Sequence, residues 1–253
     1  MKVTFLGTGT SHGVPFIGCD CAVCTSDNPR DKRLRSSIHL DIEGKSIIID
    51  AGPDFRQQVL REKIRQLDAL VFTHEHKDHT AGLDEVRSFN QIQQQPIAVY
   101  CRSAVLERLR KEYAYIFAGH DYPGIPDIEV QLIENKPFSV AGIALNPVEV
   151  MHHQMPVLGF RIGDFTYITD AKHIADEEKQ KIKGSSTLVL NALQHEENIA
   201  HLTLNEALAL VEELGVGRAY LTHISHRLGL HEVVSKDLPP QVALAFDGLQ
   251  LEV

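Results

Sequence analysis

Residues 69–79 read Ala69-Leu70-Val71-Phe72-Thr73-His74-Glu75-His76-Lys77-Asp78-His79. The apolar run 69–72 predicts a short buried strand, and the polar cluster falls just beyond its C-terminal end. Three histidines and one aspartate within six positions offer imidazole nitrogen and carboxylate oxygen, the donors that Zn²⁺, Mn²⁺ and Fe²⁺ share. The spacing differs from the His-Glu-x-x-His helix of zinc proteases, because the second histidine comes two residues on rather than four. A loop turning into a helix sends His74 and His76 one way and Asp78 and His79 the other, which suits two adjacent metal ions.

Working outward, the same pattern recurs. Four predicted strands end at Thr73/His74, Met151/His152, Thr169/Asp170 and Thr222/His223. This repetition predicts one site assembled from loops along one edge of a layered α/β domain. At 152–153 two histidines are adjacent, and side chains alternate along a strand, so only one can face inward. A separate cluster, Cys19-Asp20-Cys21-Ala22-Val23-Cys24, places three thiols at a spacing that can wrap one Zn²⁺, with the fourth corner open to Cys101 or a distant histidine. Three of the four cysteines lie within six positions, and in a cytosolic chain that points to metal rather than disulfides.

The remaining chain reads as alternating elements. A strand at 3–6 runs into the Gly-rich loop 7–15, which matches neither the P-loop nor the dinucleotide fingerprint. A hairpin is predicted over 38–50, helices over 53–65, 81–89 and 104–117, and strands over 97–100, 128–133, 138–140, 143–150, 165–170, 188–190 and 219–222. Thr203-Leu204-Asn205-Glu206 fits a capping box that starts a helix ending at Gly215. His201 therefore sits just ahead of a helix N-terminus, a region that favours anions. His12, His120 and Asp121 read as loop residues, and His195 is a second, weaker candidate after His201. Arg30, Lys32, Arg33 and Arg35 are open to two readings, an anion-attracting rim or a solvated loop.

With 253 residues, 43% hydrophobic and 23% charged, the composition is that of an ordinary globular protein. No apolar run approaches the roughly 20 residues of a membrane span, and the N-terminus reads as a strand rather than a signal peptide, so the expected location is the cytoplasm. No linker-like segment divides the chain, and a single domain over 1–253 is expected. A formal charge of −9 argues against broad binding to nucleic acid or anionic membranes. Assembly is left open by the sequence, homodimers being the commonest soluble oligomers.

His74-x-His76-x-Asp78-His79 resembles the signature of the metallo-β-lactamase-fold hydrolases, and the similarity extends from about residue 3 to 251. The Gly7-Thr8-Gly9 loop, the Cys-x-Cys-x-x-Cys run and Thr222-His223-Ile224-Ser225-His226 are most similar to a branch that includes the phosphonate-pathway phosphoribosyl 1,2-cyclic phosphate phosphodiesterases. The resemblance implies a four-layer αββα sandwich. It implies one divalent cation on His74, His76 and His152, a second on Asp78, His79 and His223, and Asp170 with a hydroxide bridging them. Zn and Mn are the expected metals, with Fe compatible. Cys19, Cys21, Cys24 and His226 would hold a structural Zn, leaving Cys101 an ordinary buried thiol. Asp50 would steady the metal loop without ligating, Asp78 would help position the nucleophilic water, and His201 would bind the substrate phosphate or protonate the leaving oxygen. The implied substrate is a small cyclic phosphodiester. Alternatives are a nuclease resembling the tRNA 3′-processing members, iron-based oxidation as in a related quinone-cofactor branch, and a noncatalytic metal-binding scaffold.

Overall fold

The computed structural model describes residues 1–119 and 124–253. His120 and Asp121 lie outside the described residues. Among the described residues, fourteen strands form two seven-stranded sheets. The first sheet comprises β1 (Lys2–Gly7), β2 (Ser37–Ile42), β3 (Lys45–Ile49), β4 (Ala69–Val71), β5 (Ile97–Cys101) and β6 (Ile128–Leu132). The second comprises β7 (Phe138–Val140), β8 (Ile143–His152), β9 (Met155–Ile162), β10 (Phe165–Tyr167), β11 (Thr187–Asn191), β12 (Arg218–Thr222) and β13 (Val242–Leu244). The last strand, β14 (Gln250–Glu252), returns to the first sheet beside β1.

Each sheet changes character across its width. From β3 through β6 the neighbours are parallel, as they are from β10 through β13. The other half of each sheet is antiparallel. Parallel neighbours need crossovers, and the helices Phe55–Glu62, Arg87–Gln93, Ser103–Glu112 and Leu204–Leu214 occupy them. Alternation along the strands sorts the apolar side chains into three layers. Phe5, Ile47, Val71, Leu158, Tyr167 and Val189 pack between the sheets. On the outer face of the first sheet, Ile48, Leu70 and Phe72 meet Phe55, Phe89 and Leu109 from helices. On the outer face of the second, Leu188 and Leu190 meet Ala207, Leu210 and Val211. Three apolar layers separate four structural ones, which is the αββα sandwich.

Local details differ from the sequence reading where terminal geometry intervenes. The first helix stops at Glu62 because Lys63 adopts a left-handed conformation, φ 54°. The helix expected over 104–117 breaks at Tyr113 into two pieces, Ser103–Glu112 and Ala114–Phe117. β9 was not expected; it is half of a hairpin whose other half, β8, runs two residues past the predicted end to His152. The capping box forms, with Thr203 Oγ1 accepting from the Glu206 amide and Glu206 accepting from the Thr203 amide. No helix among the described residues is long and apolar enough to cross a membrane.

Candidate metal centre

The ends of β3, β4, β8, β10 and β12 deliver Asp50, His74, His152, Asp170 and His223 to one edge of the sandwich. This is the carboxyl end of the parallel strands, where α/β folds present their ligands. Three of these residues turn sharply out of the strand: Asp50, Asp170 and His223 have φ of 65°, 58° and 55°. Non-glycine residues in this region cost on the order of 1–3 kcal/mol, and such strain collects at functional sites.

Hydrogen bonds behind the cluster orient the imidazoles. Asp50 accepts from the Thr73 amide at 2.9 Å, from Thr73 Oγ1 at 2.8 Å and from His79 Nδ1 at 2.7 Å. Because Thr73 Oγ1 donates to Asp50, its contact with His74 Nδ1 at 2.9 Å is one in which histidine donates. His152 Nδ1 donates to the Ala200 carbonyl at 2.9 Å. All three imidazoles therefore donate through Nδ1 and turn Nε2 inward, the arrangement that prepares histidine for a metal. Of the adjacent histidines, His152 is buried and faces the cluster, whereas His153, with φ 53°, lies exposed in the following turn.

The inward atoms converge. His79 Nε2 lies 3.1 Å from Asp78 Oδ2 and 3.2 Å from Asp170 Oδ2, and His223 Nδ1 lies 3.3 Å from Asp170 Oδ2. Ligand atoms fall within 4.8 Å of one another in three sets: His74, His79 and Asp170; Asp78, His79 and His223; and His152, Asp170 and His201. The predicted second set is thus found together, with Asp170 shared between the other two. The predicted first set is not drawn together as a trio among the described residues. His76 is half-exposed at the rim, its ring centroid 4.7 Å from His74 and 5.1 Å from His152. His201 is closer to the centre than a remote substrate contact would be, its ring 4.5 Å from His152 and 4.8 Å from His223.

Burial and the neighbouring His79 hold His74 well below the ordinary imidazole range. Burial also lowers His76 and His223, and burial with His223 alongside lowers His201 to about 3. His79 is the exception. Its burial opposes a charge, but Asp78, Asp170 and Asp50 surround it and hold it well above the ordinary value. Positive charge is therefore stabilised at its Nε2 face. His74 Nε2, His79 Nε2 and His201 Nδ1 are buried without a hydrogen-bond partner. Buried polar atoms are rarely left so, and a His/Asp donor set with unpartnered nitrogens facing carboxylates fits divalent cations.

The thiols form a second centre. Cys19 and Cys21 Sγ each lie 3.4 Å from His226 Nδ1, and Cys24 joins them within 4.8 Å. A tetrahedral zinc with Zn–S about 2.3 Å and Zn–N about 2.0 Å has S···N edges of roughly 3.5 Å, so the spacing fits. The hydrogen bond from His226 pulls the Cys21 thiol down to about 6, whereas burial pushes Cys24 up to about 11. A bound cation would offset the burial that opposes a thiolate at Cys24.

Other candidates resolve differently. Arg33 is buried and donates to Thr8 Oγ1 and the Ala245 carbonyl; Arg35 pairs with Asp54 at 3.1 Å; Lys32 donates to the Cys24 carbonyl; Arg30 lies over the Phe246 ring. They hold loops together and form no anion rim. His195 donates to the Leu228 carbonyl at 2.9 Å. Cys101 is buried, its thiol pushed up to about 12 by that burial. The hydroxyls beside the centre were missed: Thr169 Oγ1 donates to Asp170 at 2.6 Å, and Ser36 and Thr10 Oγ lie 3.2 and 3.3 Å from His223 nitrogens. A threonine immediately before His74, Asp170 and His223 was the available signal.

An αββα sandwich with a His/Asp cluster across its strand ends defines a metallo-β-lactamase-fold hydrolase, a fold that implies divalent metals. The chain belongs to the β-lactamase superfamily: residues 45–224 match the Beta-lactamase superfamily domain. It is 40% identical to a new diphosphatase from the PhnP family, whose crystal structure agrees with a TM-score of 0.93 over 100% of this chain and 97% of that one. Zn²⁺-bound PqqB from Methylobacterium extorquens shares the fold at 21% identity, with a TM-score of 0.83 over 100% of both chains. An octanoyltransferase of Porphyromonas gingivalis is 39% identical over 99% of this chain and 51% of its own length, so this chain spans about half of that relative.

Proposed function

We propose that the protein is a binuclear phosphoesterase that hydrolyses a P–O bond in a small phosphodiester or diphosphate. The carrying observation is the convergence of His74, His79, Asp170 and His223, with buried unpartnered nitrogens, between Asp78 on one side and His152 with His201 on the other. His74, His76 and His152 would hold one cation, Asp78, His79 and His223 the second, and Asp170 would lie between them. When bound, such a pair supplies an activated water and neutralises charge on phosphoryl oxygens. The protein's own part is orientation. Asp50 and Thr73 lock the imidazoles, Asp78 positions the attacking water, and His201 contacts the phosphoryl group or serves the leaving oxygen.

The diphosphatase relative supports phosphoryl chemistry, and the formal charge of −9 weighs against a nuclease that must track a long polyanion. Octanoyl transfer, named for the twice-longer relative, gains no support from this site: three cysteines sit with His226 and the fourth is buried. Elemental analysis together with hydrolysis of bis(p-nitrophenyl) phosphate in Mn²⁺ or Zn²⁺ tests the proposal. About three metals per chain with turnover is the expected result, counting four ligand groups per tetrahedral zinc and a binuclear pair. One metal without turnover would refute the binuclear phosphoesterase.

A further inference from the structure

Among the described residues, two of the larger clefts border the metal centre, and their charges differ. The cleft of about 670 Å³ beside His76 and Asp78 carries Glu75 and Glu107 along with Lys77, Arg108 and Lys111. Two of those cations are engaged, Lys77 and Arg108 both lying against Glu112. The groove on the other side, about 410 Å³, has His152 and His201 at its floor and no Asp or Glu in its lining. In a chain of net charge −9, an acid-free wall beside the centre is where an anionic substrate meets least repulsion.

The groove is also amphipathic. Phe16, 37% exposed, forms one wall and is held in place: its ring stacks on His226 at 5.4 Å with a 13° interplanar angle, and its amide donates to Cys24 Sγ at 3.3 Å. Ile199, 75% exposed, stands on the facing loop, which Asn198 Oδ1 fixes by accepting from the Ala200 and His201 amides at 2.8 and 3.0 Å. Arg227 lines the same groove, and its guanidinium makes no hydrogen bond or ion pair among the described residues. Its volume falls in the roughly 300–1,000 Å³ range of sites for drug-sized ligands, which pair apolar walls with a few placed polar groups.

We infer that this groove binds the organic half of the substrate, and that the substrate is a diphosphate ester bearing a planar ring, in chemical class a nucleoside diphosphate derivative. The ring lies against Phe16 opposite Ile199, Arg227 takes the phosphate that is not attacked, and the attacked phosphate sits over His152 and His201. The inference rests on the phosphoesterase reading above. In the reaction water's oxygen bonds to the attacked phosphorus. The bridging P–O bond breaks with its electron pair on the departing phosphate, and water's proton passes to that phosphate or to solvent.

The test combines turnover and binding on the metal-loaded protein. ADP-ribose is the turnover probe, bis(p-nitrophenyl) phosphate reports the centre itself, and ADP and AMP are titrated by calorimetry. Phe16→Ala and Ile199→Ala each weaken ADP binding and raise KM for ADP-ribose, the first by about five- to a hundred-fold, the range of a lost base stack. Arg227→Gln removes the preference for ADP over AMP. Zinc content and melting temperature of Phe16→Ala confirm that the Cys/His226 cluster survives, with Ile199→Ala as the variant remote from it. If the wild type cleaves bis(p-nitrophenyl) phosphate while all three variants handle ADP and ADP-ribose like wild type, the groove inference is overturned and the phosphoesterase reading stands. If the wild type cleaves nothing yet binds ADP in a Phe16- and Arg227-dependent way, the groove assignment survives and the hydrolytic reading falls.

Discussion

Asp50 accepts the Nδ1–H of His79 at 2.7 Å while holding both the amide and the hydroxyl of Thr73. Three donors thus converge on one buried carboxylate, and through them the tautomers of His74 and His79 are set. An Asp50→Asn protein replaces one acceptor oxygen with an amide that donates, so either Thr73 or His79 meets a donor instead of an acceptor. Loss of such a supporting contact typically costs about 10–100-fold in metal affinity. Competition titration with a chromophoric chelator measures this directly, and an unchanged affinity would refute the role assigned to Asp50.

Gly52 sits where the loop after β3 meets the metal loop. A Cβ there would lie 2.0 Å from the Asp78 carbonyl oxygen, a backbone atom that cannot swing aside. Gly52→Ala must therefore displace residues 77–79, carrying Asp78 and His79 out of register with Asp170. The expected result is loss of at least one bound metal by elemental analysis, with overpacking costing about 1–3 kcal/mol of stability. Retention of full metal content would show that the loop shifts without moving its ligands.

These two contacts also show what was legible in the sequence. Strand ends carrying His or Asp are visible because strand period and ligand chemistry are both local properties, so His74, Asp170, His223 and one of the pair His152 and His153 could be named before any fold was known. The β8–β9 turn that leaves His153 exposed depends on hairpin register, and only the resemblance chose His152. The wrap of Asp50 around Thr73, the Ala200 carbonyl under His152 and the packing of Arg33 beside Ala245 are pairings between distant segments. No local pattern encodes them. Helix ends at Lys63 and Tyr113 were missed for a related reason, since a left-handed or broken terminus is decided by what the next strand requires.

His201 distinguishes two geometries. Its Nδ1 lies 3.7 Å from Asp170 Oδ1, close enough to count among the groups around the centre. If it serves the phosphoryl group, His201→Ala keeps its full metal complement and loses about 10²–10⁴-fold in kcat, the usual contribution of a positioned acid–base or contact residue. Metal analysis and kinetics on the same sample decide the matter. A loss of bound metal in parallel with activity would make His201 a ligand.

The Cys19, Cys21, Cys24 and His226 cluster ties the loop before residue 26 to the segment after β12, more than 200 residues away. Cys21→Ser should lower zinc by one per chain and reduce the melting temperature, because a structural zinc contributes its binding energy to folding. Substitution with Co²⁺ gives a second readout. A thiolate-to-cobalt absorption band present in wild type and diminished in Cys21→Ser is expected, and absence of the band in wild type would remove the cluster as a metal site.

His231 supplies a stability switch away from the metal centre. It is 5% exposed, its Nδ1 accepts from Arg33 at 3.2 Å, and its amide donates to Asp31 at 2.7 Å. Burial first, and then the adjacent Arg33, lower its pKa from 6.5 to about 4. Because the folded value is depressed, the unfolded chain takes up a proton between about pH 6.5 and 4 that the folded chain refuses. The unfolded state binds more protons there, so stability rises with pH across that window and is lost as pH falls through it. The loss amounts to on the order of 2–3 kcal/mol by pH 4. His231→Asn keeps an acceptor for Arg33 and removes the titrating group. Urea unfolding at a series of pH values should therefore give a slope shallower by about one proton than wild type across this window. Equal slopes for the two proteins would mean that His231 is protonated as readily when folded as when unfolded, and that the acid sensitivity lies elsewhere.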